Sequence, residues 1–215
     1  MKRLVFLVEG NTEILFINKL VIPYLYELGF VNSMNAQAVI TNRQQHKKGG
    51  ITNYVLLKND LERILAQPDV IVTTLIDFFK LPTNFPNYTT DSNRIDQIEI
   101  GIHTDFQNQF YLIPYIQRHE LEALMFSSMD GFNIVVDDAE KLNQLDEIIK
   151  QYPNPEDINN STETAPSKRL ISIFGYEKTS DGELIFEAVG IEEIMNKCPR
   201  FNEWIQRIIN KLRCN

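Results

Sequence analysis

Arg3-Leu4-Val5-Phe6-Leu7-Val8-Glu9-Gly10-Asn11-Thr12-Glu13 is the stretch whose reading decides the fold. Leu4 to Val8 is a short apolar run with β-branched members, the signature of a buried strand. Gly10 permits a sharp turn, and Thr12 is placed to cap a helix whose apolar residues Ile14, Leu15, Ile17 and Leu20 follow at helical spacing. A strand, a tight turn and a helix make the opening of an α/β unit. Its strand end carries two carboxylates, Glu9 and Glu13, at the edge where open α/β sheets place their ligands. Folding alone gives no reason to put Glu9 there.

Outward from this stretch, strand and helix signals alternate. The pattern predicts a helix over 12–28, a strand over 35–41 and an amphipathic helix marked by Tyr54, Leu57, Leu61, Ile64 and Leu65. Val70 to Ile76 is the strongest strand and stops at Asp77. A loop over 82–93 and a helix over 94–106 lead to a strand over 110–116, where Pro114 implies an edge position or a bulge. His119 to Phe126 then opens a helix. This order predicts a mostly parallel sheet with helices on both faces over residues 1–130. Residues 131–215 read as a helical C-terminal extension packed on that core as one compact unit. It holds a charged helix from Asp138 to Lys150, a loop over 152–167, and a last helix begun by Pro199 in which Trp204 packs inward.

Composition narrows the function. A chain of 215 residues, 43% of them hydrophobic, can bury one domain's core, and no apolar run nears the roughly 20 residues of a membrane span. Met1-Lys2-Arg3 resembles a secretory start, but Glu9 cuts the apolar stretch short. Two cysteines without metal-ligand spacing fit a cytoplasmic chain with reduced thiols. A net charge of -8 argues against a general nucleic-acid coat, though not against a nuclease, because clustered carboxylates that bind metal lower the net charge. Two local basic patches remain, Arg43 to Gly50 and Ser167-Lys168-Arg169. There is no Walker loop, no nucleophile elbow and no Cys/His pairing.

The chemistry rests on acids that converge. Glu9 and Asp77 end two strands and Glu122 follows a third, so a parallel sheet gathers them on one rim. Such a set offers hard oxygen ligands to Mg²⁺ or Mn²⁺, which polarise a phosphodiester and acidify a water. Each acid taken singly also reads as a helix cap. Two glutamates at i and i+2 of a helix cannot share a face, which makes Glu122 the inward one and leaves Glu120 facing solvent or Arg118. His119 reads as a structural hydrogen-bonding group or, secondarily, a base. Lys168 and Arg169, after Ala165-Pro166-Ser167 at a helix start, form a candidate phosphate site, and Lys178 is an alternative cation.

Val8-Glu9-Gly10-Asn11-Thr12-Glu13 resembles the VEGxTE opening of Toprim domains, especially those of OLD-type nucleases. In that pattern a glutamate after the first strand joins an Asp-x-Asp after a later one. Asp77 takes the first Asp position, and Phe79 stands at the second. Glu120-Leu121-Glu122-Ala123-Leu124 is similar to the OLD helix that carries a glutamate near the metals, and Lys168 is the candidate for the C-terminal lysine of those enzymes. A wider resemblance takes in Asp77 to Pro82, Ile113 to Leu124, Pro155 to Asn159, Thr164 to Arg169 and Cys198 to Trp204. It is to a bacterial Toprim-like family of unassigned function, similar to companions of ABC- or AAA-type ATPases in defence loci.

The sequence is thus read as an α/β, Toprim-like domain. The resemblance implies a Mg²⁺- or Mn²⁺-dependent nuclease acting on DNA or RNA beside an ATPase encoded nearby, with a homodimer left open. Glu9, Asp77, Glu122 and Lys168 carry that reading, with Glu13, His119, Glu120, Arg169 and Lys178 as secondary candidates. The competing reading is a catalytically degenerate module that docks on the ATPase, which Phe79 favours.

Overall fold

A computed structural model describes residues 1–42, 47–48, 50–158, 161 and 163–214, and the side chains of 41, 42, 47 and 48 are not part of that description. Most of the basic stretch Arg43 to Gly50 therefore lies outside the described residues. Strand β1 (Arg3–Val8) is followed by α1 (Asn11–Phe16), which runs through a π turn (Ile17–Val21) into α2 (Ile22–Glu27). The expected strand over 35–41 divides into β2 (Met34–Ala38) and β3 (Ile40–Asn42), the latter pairing with β4 (Lys47–Lys48). Helix α3 (Tyr54–Leu65) has the span that its apolar spacing predicts, capped by Asn53, whose side chain accepts from Val55 N–H. Then come β5 (Val70–Asp77) and α4 (Ile95–Asp105).

The strand expected over 110–116 is two short pieces, β6 (Leu112–Ile113) and β7 (Ile116–Gln117). Pro114 has no N–H to give, and the ladder breaks there. Two threonines of β5 repair it. Thr73 Oγ1 donates to Ile113 O, while Thr74 Oγ1 donates to Tyr115 O and accepts from Tyr115 N–H, all at 2.8 Å. These buried threonines keep the backbone satisfied where the sheet cannot.

The principal sheet runs β2-β1-β5-β6, with β7 also on β5, and every pairing in it is parallel. Alternate residues of the strands feed two cores. Leu4, Phe6, Val8, Ile71 and Leu75 meet α1, α2 and the C-terminal helices; Val5, Leu7, Val70, Val72 and Ile76 meet α3 and α4. The α/β class with helices on both faces is what the alternation of strands and helices predicts.

The C-terminal part contains α5 (Asp130–Val135), α6 (Ala139–Gln151), α7 (Pro166–Phe174), α8 (Asp181–Val189), α9 (Ile191–Lys197) and α10 (Pro199–Arg213). It is fastened to the sheet by polar as well as apolar contacts. Trp204 of α10 stacks on Tyr115 at 4.6 Å and donates its indole N–H to Thr73 Oγ1 at 2.7 Å, completing the threonine relay. Buried Glu156 accepts the N–H groups of Arg200 and Phe201, at 2.9 and 3.1 Å, and so caps α10, whose first position is a proline with no N–H. The Pro155-Glu156-Asp157 motif thus has a structural use.

Candidate functional site

Because β1 and β5 are parallel neighbours, their carboxyl ends lie side by side. The ladder continues past Val8, as Glu9 N–H donates to Leu75 O at 3.3 Å. The Glu9 side chain turns across to the next strand, where Oε2 accepts from Asp77 N–H at 3.4 Å. Asp77 in turn accepts Leu121 N–H on Oδ1 at 3.0 Å, anchoring the short 3₁₀ helix Leu121–Ser127. That is the capping role open to such an acid, and it also fixes the carboxyl group at the rim.

Glu13 lies buried in the first turn of α1. The N-cap of this helix is Gly10, and no side chain caps it, so Thr12 does not have the expected role. Gly10 is not in a left-handed turn, its φ being -154°, but a Cβ there would stand in tight contact, 3.2 Å from Glu13 Oε2. Its missing side chain lets the second carboxylate pack against the turn.

The segment after β7 departs from the expected helix in a way that changes the roles of its acids. His119 is buried with φ at +68°, Glu120 is extended, and the helix starts only at Leu121. The i, i+2 helical argument therefore does not apply, and both glutamates are buried. Glu120 neither faces solvent nor pairs with Arg118, which holds Asp157 and Asn93 instead. Its carboxylate accepts Ser167 N–H at 2.9 Å and Ser167 Oγ–H at 3.0 Å, at the N-terminus of α7. Glu122, 1% exposed, has Lys178 Nζ 2.6 Å from its Oε1. His119 supplies its carbonyl to Phe79 N–H at 3.0 Å, and its left-handed backbone redirects the chain from the sheet into the 3₁₀ turn.

The two cations proposed from the sequence are therefore in different places. Lys168 is exposed on α7 and takes no part in lining the rim, and half-buried Arg169 donates from Nε to Thr164 O at 2.8 Å within its own helix start. Lys178, in the turn after α7, reaches the acids. The C-terminal extension thus contributes a charge to the edge of the sheet.

Glu9, Asp77, Glu120 and Lys178 line one open cleft of about 620 Å³, walled also by Ile51, Thr52, Phe79, Lys80 and Pro82. Burial, then the charge of Glu13, pushes the Glu9 carboxyl up to about 7, against the pull of the Asp77 and Ile51 N–H groups and Lys178. Burial raises Glu13 as well, with Glu122 adding to the effect. Asp77 is held well above its ordinary value by burial and by Glu13, Glu9, Glu122 and Glu120. Lys178 loses hydration, which depresses it, but Glu122, Asp77 and Glu120 together hold it above its ordinary value. The rim is a crowd of acids sharing one field, with Lys178 as the cation that acts on Glu9, Glu13 and Glu122. Among the described residues no three His, Cys, Asp or Glu side chains stand in ready metal-ligand geometry, and Glu9, Asp77 and Glu122 each have an internal partner.

Thr52 and Lys80 also line the cleft, and sequence reasoning missed them. The signal for Lys80 was its place three residues after Asp77, directly behind the aromatic pair Phe78-Phe79.

The fold and rim describe an α/β domain with a parallel sheet, acidic at the carboxyl edge of that sheet. The chain belongs to the family described as "Domain of unknown function (DUF4276)", which matches over residues 8–209. No curated protein matches its sequence. A solved structure, the C-terminal region of the OLD protein of Xanthomonas campestris pv. campestris, is similar at 16% identity over 96% of this chain and 97% of that one, with a TM-score of 0.42. No helix of the described residues is long and apolar enough to cross a membrane.

Proposed function

We propose that this protein is a metal-dependent phosphodiesterase that cleaves nucleic acid, DNA or RNA, together with an ABC- or AAA-type ATPase encoded nearby in bacterial defence. The observation that carries the catalytic reading is the under-compensated charge at the adjoining ends of β1 and β5, where Glu9 is pushed up to about 7 and Asp77 is raised well above its ordinary value. Acids in that condition are poised for a cation. The donor set is all hard oxygen, which fits Mg²⁺ or Mn²⁺, and Glu9, Asp77 and Glu122 are the residues to hold it, with Glu13 beside them. Such an ion supplies Lewis acidity and an acidified water when bound.

The chain's own groups do the rest. The Asp77 N–H bond to Glu9 and the Leu121 N–H bond to Asp77 tie those two carboxyl groups to the rim. Lys178 is the cation placed to neutralise charge on a phosphate, a role for which exposed Lys168 is poorly sited. The ATPase partner rests on the family resemblance in the sequence.

A second reading, a degenerate module that only docks on the ATPase, is favoured by Phe79 at the second Asp position and by the internal partners the acids already have. Co-expression of the neighbouring ATPase with wild type or Glu9→Ala, scoring toxicity and nucleic-acid integrity, separates the two. Loss of both effects in Glu9→Ala supports cleavage; identical behaviour of the two proteins gives the lead to the docking module.

A further inference from the structure

Phe79 and Lys80 occupy a wall of the acidic cleft in a conformation the fold takes trouble to hold. Backbone bonds from Phe78 N–H to Gln117 O (2.9 Å) and from Phe79 N–H to His119 O (3.0 Å) extend the β5–β7 pairing past Asp77, so Phe79 is fixed to the rim rather than carried on a loose loop. Leu81 N–H then donates to Phe78 O at 3.1 Å, closing a turn that puts Lys80 in the left-handed region at φ +60°, an unfavourable conformation for a lysine. The turn brings Lys80 Nζ over the Phe79 ring, 4.9 Å from its centroid. Lys80 is exposed, and the Phe79 ring is only partly buried although it sits in an apolar dipeptide.

We propose that Phe79 and Lys80 form a subsite for single-stranded nucleic acid, in which a nucleobase beside the scissile phosphate stacks on the Phe79 ring and Lys80 moves from the ring to the adjoining phosphate. This rests on the nuclease reading of the same cleft and names its substrate class. An aromatic face and a flexible cation stand side by side here at the edge of the cleft, and every base offers a π face to such a platform. A paired base in a duplex has both faces stacked already, so the subsite favours strands whose bases are free. Phe79, which spoils a second carboxylate ligand, thereby acquires a use at that position.

The test is binding in EDTA, by fluorescence anisotropy, of fluorescein-labelled oligothymidine and oligouridine of about 12 nucleotides, with a duplex of the same length as the third probe. Wild type should bind one or both single strands more tightly than the duplex. Phe79→Ala and Phe79→Leu should each weaken single-strand binding about tenfold while Phe79→Tyr keeps it. Lys80→Ala should lower the slope of log affinity against log salt by about 1. Phe79→Leu retains an apolar filling for the partly buried site, so it decides the matter if Phe79→Ala fails to fold. Equal binding by wild type and a folded Phe79→Leu, duplex binding as tight as single-strand binding, or no single-strand binding by wild type would each overturn the subsite. Because no metal is present, binding is read apart from cleavage: Phe79-dependent binding together with identical behaviour of wild type and Glu9→Ala in the co-expression assay supports the subsite and refutes the catalytic reading alone.

Discussion

Replacing Glu9 by glutamine should stabilise the metal-free protein at pH 8. In the fold the Glu9 carboxyl titrates at about 7, whereas its unperturbed value is 4.5. A raised carboxyl holds its proton in the native state over a range where the unfolded chain has released it, so the native state binds more protons and stability falls as pH rises. The loss begins near 4.5, is complete just above 7, and persists at higher pH. A difference of this size corresponds to at most about 3 kcal/mol, and sharing of charge with Glu13 makes about 2 kcal/mol the working figure. Glutamine keeps an oxygen to accept the Asp77 N–H and carries no charge. In EDTA, Glu9→Gln should therefore gain about 2 kcal/mol over wild type at pH 8, or roughly 4–8 °C in Tm, and nothing at pH 4. Urea unfolding at a series of pH values reads this directly. Asp77 and Glu13, raised in the same direction, should leave the variant with a residual slope of the same sign. A Glu9→Gln protein that is less stable than wild type at pH 8, or whose stability depends on pH as steeply, would refute the account of a crowded, under-compensated rim.

Three further outcomes follow from the same geometry. Mn²⁺ should raise the Tm of wild type by mass action and raise that of Asp77→Ala much less; equal shifts would put the ion elsewhere. Lys178→Met should cost about 1–3 kcal/mol, because it strands Glu122 at 1% exposure, whereas Lys168→Met on the surface of α7 should change stability by less than about 0.5 kcal/mol; chemical denaturation would show the reasoning wrong if the order were reversed. Trp204→Phe should lose about 1–3 kcal/mol, since it removes the indole bond to Thr73 and part of the stacking on Tyr115, and an unchanged unfolding midpoint would show that the threonine relay does not need it.

What the sequence shows and what it hides divide along contact distance. Leu4 to Val8, Val70 to Ile76 and the apolar stripe of α3 are local patterns, and each appears where its period requires. Glu9 and Asp77 were legible as site candidates for the same reason: each ends a strand, and strand ends align once the sheet is parallel. Glu120 was misread because its partner Ser167 lies 47 residues away, and because left-handed His119 delays the helix beyond the point a propensity argument places it. Choosing between Lys168 and Lys178 needed the path of the chain out of α7, which Gly175 turns at φ +81°. The split at Pro114 was visible as a missing donor, but its repair by Thr73, Thr74 and Trp204 joins residues up to 131 positions apart, and no local rule anticipates that.

The central claim is that Glu9 and Asp77 hold a divalent cation at the end of the sheet. Crystals grown with Mn²⁺ and measured at the manganese absorption edge address it most directly. An anomalous peak is expected between the carboxylates of Glu9 and Asp77, with Glu122 or Glu13 completing the ligand set. Carboxylates still in their internal hydrogen bonds with no peak between them, or manganese bound only at other sites, would contradict it.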